Sequence, residues 1–230
     1  MSAKHRPTSL MLLALLTLPG IAFGQQTAED LVKQGKIQMV KGDLAGAITY
    51  YSKAIELNPK YARAYDYRGV AKMAKRDLEE AIADYSKAIE LDPKYADAYY
   101  NRGSAKLVKR DLDGAIADLT KVIEINPSDA VAYDYRGLGK MGKDDRDGAI
   151  ANFTKAIELN PKYADAYYNR GSAKMAKKDS DGAIADYSKA IEFNPTDAVA
   201  YSDRGSARMD KGDQKGAVED FDQAAKLKGH

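Results

Sequence analysis

The sequence predicts an all-α solenoid of six helical hairpins, on three observations. Pro59, Pro93, Pro127, Pro161 and Pro195 each lie 34 residues apart. Arg-Gly pairs keep the same step at Arg68-Gly69, Arg102-Gly103, Arg136-Gly137, Arg170-Gly171 and Arg204-Gly205. Between these marks every unit carries two helical patterns separated by a turn. A fixed period of this length signals a repeat architecture, in which no hairpin buries its apolar face alone and stacked neighbours share the core. The units run 28–61, 62–95, 96–129, 130–163, 164–197 and 198–230. Lys94–Lys106 recurs letter for letter at Lys162–Lys174, so units duplicate in pairs.

Each element has a local cause. The second helix of every unit follows an aspartate: Asp43, Asp77, Asp111, Asp145, Asp179 or Asp213. Such a side chain can accept from the first free backbone N–H groups. Glu80, three residues after Asp77, predicts a capping box there. The second helix ends at Asn-Pro or Asp-Pro, because the residue before proline avoids helical angles. Glycine at unit position 8 (Gly35 to Gly205) and alanine at position 20 (Ala47 to Ala217) let two helices approach closely. Gly46, Gly114, Gly148, Gly182 and Gly216 lie inside second helices, where each costs up to about 1 kcal/mol relative to alanine. Unit one lacks the tyrosine and arginine of its neighbours. Unit six has Ala225 and Asp222 where the others carry larger apolar residues and Ser or Thr. Both ends read as caps.

The first 24 residues differ from the rest. Lys4, His5 and Arg6 form a basic start, Leu10–Leu18 is a short apolar run, and Pro19-Gly20 breaks it before Ala22-Phe23-Gly24. This is the layout of a cleavable secretory signal peptide, with the cut before Gln25 and a short leader at 25–27. The run is too short for a spanning helix. The expectation is a periplasmic protein in a two-membrane bacterium, or a secreted one elsewhere.

Composition narrows the chemistry. The chain of 230 residues holds 36 Lys+Arg against 34 Asp+Glu, no Cys, and two His, His5 and His230. Removing Lys4 and Arg6 with the leader leaves a formally neutral chain, with no cue for nucleic acid. Without Cys or an internal His, neither a thiolate, a Cys-based zinc site nor an imidazole base is available. No catalytic residue, metal or cofactor is expected. Gly137–Gly142 matches G-x-G-x-x-G but lies inside a first helix without the strand a dinucleotide site requires. Asp145–Gly148 and Asp179–Gly182 resemble fragments of a calcium loop, yet the first and twelfth ligand positions are missing.

The position-8 glycines, the position-20 alanines and the position-24 residues Tyr51, Tyr85, Leu119, Phe153, Tyr187 and Phe221 together resemble the tetratricopeptide repeat family over residues 28–230. That resemblance implies a right-handed superhelix whose first helices line a concave groove for extended peptides. Position 11, aromatic in the family, is Lys72, Lys106, Lys140 and Lys174 here.

With about 100° per residue, first-helix positions 2, 5, 6, 9, 12 and 13 share a face. By the resemblance this face is the groove, and its candidate contacts are Arg63, Asp66, Tyr67, Asp97, Tyr100, Asn101, Asp134, Tyr135, Asp165, Tyr168 and Asn169. Positions 5 and 6 alternate between Asp-Tyr and Tyr-Asn from unit to unit. Tyrosine and asparagine suit adaptable recognition. From unit two onward Arg63 is the only cation on the face, which predicts a neutral or basic extended partner. The tyrosines at position 4 and methionines at position 12 are expected in the core. The arginines at position 7 are expected to pair with acids such as Asp84 and Asp118. The Lys/Asn clamp of chaperone-tail binders is not reproduced in any three consecutive units. A scaffold that uses its ends or outer face, or associates with itself, is the alternative.

Overall fold

The computed structural model describes residues 26–229, so the leader expected at 1–24 lies outside the described residues. The described chain forms twelve helices in six pairs: α1 (Ala28–Val40), α2 (Leu44–Leu57), α3 (Ala62–Ala74), α4 (Leu78–Leu91), α5 (Ala96–Val108), α6 (Leu112–Ile125), α7 (Ala130–Gly142), α8 (Arg146–Leu159), α9 (Ala164–Ala176), α10 (Ser180–Phe193), α11 (Ala198–Asp210) and α12 (Gln214–Lys228). Each helix packs on its predecessor and successor. First helices of successive units also touch one another, α1 with α3, α3 with α5, α5 with α7 and α7 with α9, and second helices do not do so to a comparable degree. Crowded first helices and splayed second helices curve the stack, with the first helices on the inside.

Packing within each pair follows the small-and-large pattern of the repeat. All six position-20 alanines are fully buried. A Cβ built on Gly69 would lie 2.6 Å from Tyr85 Cε1, so glycine is what lets the tyrosine ring lie against the first helix. In unit three a leucine replaces the ring, and the same test at Gly103 finds Leu119 Cγ at 3.1 Å.

The second helices start on their aspartates, and the glycines inside them explain how. The side chains of Asp43, Asp111, Asp145, Asp179 and Asp213 each accept from the backbone N–H of the glycine three residues on. A Cβ on any of those glycines would collide with the capping carboxylate. In unit two Glu80 stands in place of that glycine, and Asp77 makes no side-chain cap. The capping box expected at Asp77–Glu80 is therefore absent: Asp77 pairs with Lys75 at 3.6 Å and Glu80 with Lys72 at 3.2 Å. A capping box does form, unforeseen, between Thr27 and Asp30 at the start of α1.

The turns inside the hairpins are Schellman motifs. In unit two, Arg76 N–H donates to Met73 O and Asp77 N–H to Lys72 O, both at 2.9 Å. The residue in the left-handed conformation is glycine in the end units (Gly42, Gly212) but Arg76, Arg110, Asp144 and Lys178 in the four middle ones, with φ of 62° to 68°. Side chains avoid that region.

Candidate functional site

The position-7 arginines are structural, and they account for the lysines at position 11. Arg102 makes a two-pronged bond to Asp118, with Nη2 at 2.7 Å and Nε at 2.9 Å. Its Nη1 reaches Ser86 of the preceding unit at 3.0 Å. Lys106 Nζ closes on the same carboxylate at 2.8 Å. Asp84, Asp186 and Asp220 collect the same pair of cations in units two, five and six, where Arg208 replaces the lysine. The carboxylates are buried and the arginines largely so. Each position-7 guanidinium also lies over the tyrosine three residues before it, as Arg102 does over Tyr99 at 5.7 Å. The position-4 tyrosines are accordingly half-buried lids on these arginines.

Unit four breaks the pattern. Asn152 occupies the carboxylate position, Arg136 Nε donates to its Oδ1 at 2.8 Å, and Lys140 turns to Asp145 at 3.3 Å. Burial without a counter-charge lowers the pKa of Arg136.

On the inner face, positions 5 and 6 meet each other across unit boundaries. Asn101 Nδ2 donates to Asp66 Oδ1 at 2.9 Å, and Tyr95 OH to Asp66 Oδ2 at 3.0 Å. Two units on, Asn169 Nδ2 donates to Asp134 at 3.0 Å, and Tyr163 OH at 3.4 Å. Between them the ring of Tyr100 packs against that of Tyr135, tilted by 56° with centroids 5.1 Å apart. Tyr168 OH donates to Asp203 at 2.8 Å. These pairs form a row of braces, each joining position 5 of one unit to position 6 of the next. Asp66 and Asp134 are 3% and 2% exposed. The sequence placed both among the ligand contacts; the structure places them in the frame, with lone pairs already occupied by neighbours. Neither has a cation beside it, and burial raises both pKa values against the hydrogen bonds they accept, Asp134 to about 6.

Five of the expected contacts nevertheless converge. Asp134, Tyr135, Asp165, Tyr168 and Asn169 line a hollow of about 370 Å³ across units four to six, together with Leu138, Asp197 and Val199. Asp97 and Tyr100 line a smaller one of about 240 Å³ with Asp129 and Val131. Tyr67 belongs to a third, of about 330 Å³, with Lys36, Met39, Val40, Tyr51 and Val70. Arg63 is exposed on α3 and Asn101 is half-buried on α5; neither lines any of these three hollows. Leu138, Val131 and Val199 are exposed apolar side chains on this inner face that sequence reasoning passed over. Their signal was an aliphatic residue at position 2, where the other units carry Glu, Arg or Asp, or at position 9, where all but Val70 of unit two are Lys or Ser. The position-12 methionines pack against the core in units one, two, four and five, while Met209 is exposed.

The motifs set aside in the sequence have structural roles. Gly137–Gly142 is helical in α7, with Gly139 against Ile116 and Gly142 against Leu112. Asp145 caps α8 and Asp147 pairs with Lys177. Among the described residues no cluster of three metal-ligating side chains occurs, and no helix is long and apolar enough to cross a membrane.

Paired helices stacked through repeated braces, with a hollowed inner face, define a helical-repeat scaffold. The chain belongs to the tetratricopeptide repeat family: a TPR repeat model matches residues 35–75, 71–107 and 145–178, and a tetratricopeptide repeat model matches 96–129 and 164–197. Among solved structures it is similar to the MamA protein, with 30% identity over 75% of this chain and 94% of that one and a TM-score of 0.67. It is also similar to YrrB, a TPR protein described as having an unusual peptide-binding site, with 26% identity, 76% and 90% coverage and a TM-score of 0.64. A tetratricopeptide repeat protein from Parabacteroides merdae shares the fold at 22% identity, 88% and 80% coverage and a TM-score of 0.76. No curated protein matches the chain.

Proposed function

We propose that this protein is an exported adaptor that docks an extended peptide or protein segment along its inner, first-helix face. One observation carries the reading: side chains from three consecutive units form one hollow in which the aliphatic Leu138 and Val199 sit beside Asp165 and Asp197. Aliphatic surface holds a side chain, and carboxylates without a cation in the hollow favour an uncharged or basic one. YrrB, described as having a peptide-binding site, supports the reading by likeness. Export rests on the layout of residues 1–24.

The test is capture. The chain from Gln25 serves as bait in an envelope or secretome extract, beside a variant carrying Leu138→Ala, Asp165→Ala and Val199→Ala with helicity verified. Loss of the captured partner with the variant is expected. Equal capture by both would move recognition to the ends or the outer face.

A second reading is a scaffold that joins through its ends. It is favoured by Val40, 90% exposed on α1, and Val218, 56% exposed on α12. Continuation of the stack from one copy to the next is opposed by charge. In units three to six the lysine after the first helix pairs with an acid of the preceding unit, as Lys211 does with Asp181 at 2.8 Å. The equivalent residues at an end-to-end junction are Lys41 and Lys215, which repel.

A further inference from the structure

The inner face is not uniform along its length, and the gradient says how a ligand would lie in it. Every exposed cation of the face belongs to units one and two: Lys33, Lys36 and Arg63. Positions 2, 5, 6, 9, 12 and 13 of units three to six hold no cation and carry the exposed carboxylates Asp97, Asp165 and Asp210 beside the braced Asp134 and Asp203. Asp129 and Asp197 add two further carboxylates to the hollows there. The hollow of units one and two is of opposite character. Its walls are Met39, Val40, Val70 and the rings of Tyr51 and Tyr67, and its one charge is Lys36, whose Nζ donates to Tyr67 OH at 2.8 Å. A neighbouring hollow of about 280 Å³ extends it over Ile37 and Val40 between Lys36 and Lys41. Glu29, a turn or more before these residues on α1, is the one exposed acid on the face of that unit.

A site that is aliphatic with a cationic rim at one end and anionic at the other discriminates direction. Potentials across an interface must complement each other, and a misplaced like charge costs more than a correct one gains. An unburdened aliphatic wall, Val40 being 90% exposed, gains by being covered.

We propose that the face takes its occupant in one direction only. The occupant is a single extended segment whose one end carries aliphatic side chains interspersed with carboxylates and lies over units one and two. Its other end carries lysine or arginine and lies over units three to six. Adjacent first helices are about 8–10 Å apart, so spanning from unit two to unit five takes about eight extended residues and a ten-residue segment covers it. This proposal rests on the groove reading and specifies the partner's chemistry and polarity.

The chain has no cysteine, so a single one introduced at Ala74→Cys or Ser206→Cys places a nitroxide at one end of the face or the other. The probe is a synthetic ten-residue peptide, leucine and glutamate alternating in its first half, lysine and serine in its second, with a fluorophore at the leucine–glutamate end. Quenching by the nitroxide at position 74 and not at 206 is expected, with the reverse when the fluorophore moves to the lysine end. Val40→Glu should weaken the peptide at least tenfold and leave a peptide of the basic half alone unchanged. Asp165→Lys should weaken both. Equal quenching from the two sites, tight binding of a peptide with the two halves' charges exchanged, or no saturable binding at millimolar concentration would overturn the directional proposal. The groove reading fails separately, if peptides that bind the parent bind Asp165→Lys equally well.

Discussion

Asn101 of the third unit donates to the buried carboxylate of Asp66 in the second, 35 residues away, at 2.9 Å, and Asn169 repeats the bond to Asp134 at 3.0 Å. The two-unit alternation of the sequence is thereby explained. An aspartate at position 5 requires a donor at position 6 of the next unit, and a tyrosine at position 5 receives a tyrosine or an aspartate there instead. The braces hold the inner face in shape and leave recognition to the side chains beside them.

If the braces are structural, removing one should cost stability before it costs affinity. Asn101→Ala leaves Asp66 buried with one acceptor oxygen unmet, an expected loss of about 1–3 kcal/mol. Urea unfolding followed by circular dichroism measures it. Asp97→Ala, at an exposed position, should change stability by less than about 0.5 kcal/mol in the same assay.

The buried charge of Asp134 makes a pH prediction. Its pKa in the folded chain is raised to about 6 from the ordinary 3.8. Between those values the folded chain binds the proton more tightly than the unfolded one. This group therefore stabilises the fold increasingly as pH falls from about 6 to about 4, with a slope of at most about 1.4 kcal/mol per pH unit. It penalises the folded state at neutral pH. Asp134→Asn should flatten that component of the stability profile over pH 4–6, as measured by thermal unfolding across the range.

Unit four offers a repair. Asn152→Asp should restore the carboxylate that Arg136 lacks and recover Lys140 from Asp145. Because the guanidinium is already buried among polar neighbours, a gain of about 1–3 kcal/mol is expected from the charged hydrogen bonds. A higher midpoint in urea for the variant checks it. Asp118→Asn, its mirror in unit three, should lose a comparable amount.

The middle hairpin turns offer another. Arg110 and Lys178 hold φ of 62° and 63°, where a side chain costs about 1–2 kcal/mol and glycine does not. Glycine also loses more freedom on folding, so Arg110→Gly and Lys178→Gly should each gain a net ~0.5–1 kcal/mol. Differential scanning calorimetry of the single and double variants reads the gain and its additivity.

Much of this fold could be read from the sequence because its causes are local or strictly periodic. The capping aspartates, the pre-proline helix ends and the glycine–aromatic contact within a pair all recur at fixed offsets. Lys106 at a position the family fills with an aromatic looked like a departure. Its reason lay twelve residues on in Asp118, which needs two cations once buried. The face was harder to read. Position 5 and position 6 each point inward, and nothing in a single helix reveals that they meet across a unit boundary, so Asp66 and Asp134 read as free when they are not. Glu80 misled for a related reason: an acid three residues after Asp77 satisfies the capping-box pattern, but its Cβ fills the space the capping carboxylate takes in the other units.

The most direct test of the account is to see where a captured partner lies. Backbone amide chemical-shift mapping of the isotope-labelled chain from Gln25, with and without the partner segment, is the measurement. Shifts on the first helices, around Leu138, Asp165 and Val199 on α7, α9 and α11 and around Val40 and Val70 on α1 and α3, are the predicted result. Shifts confined to the second helices or to the outer face of α12 would contradict it.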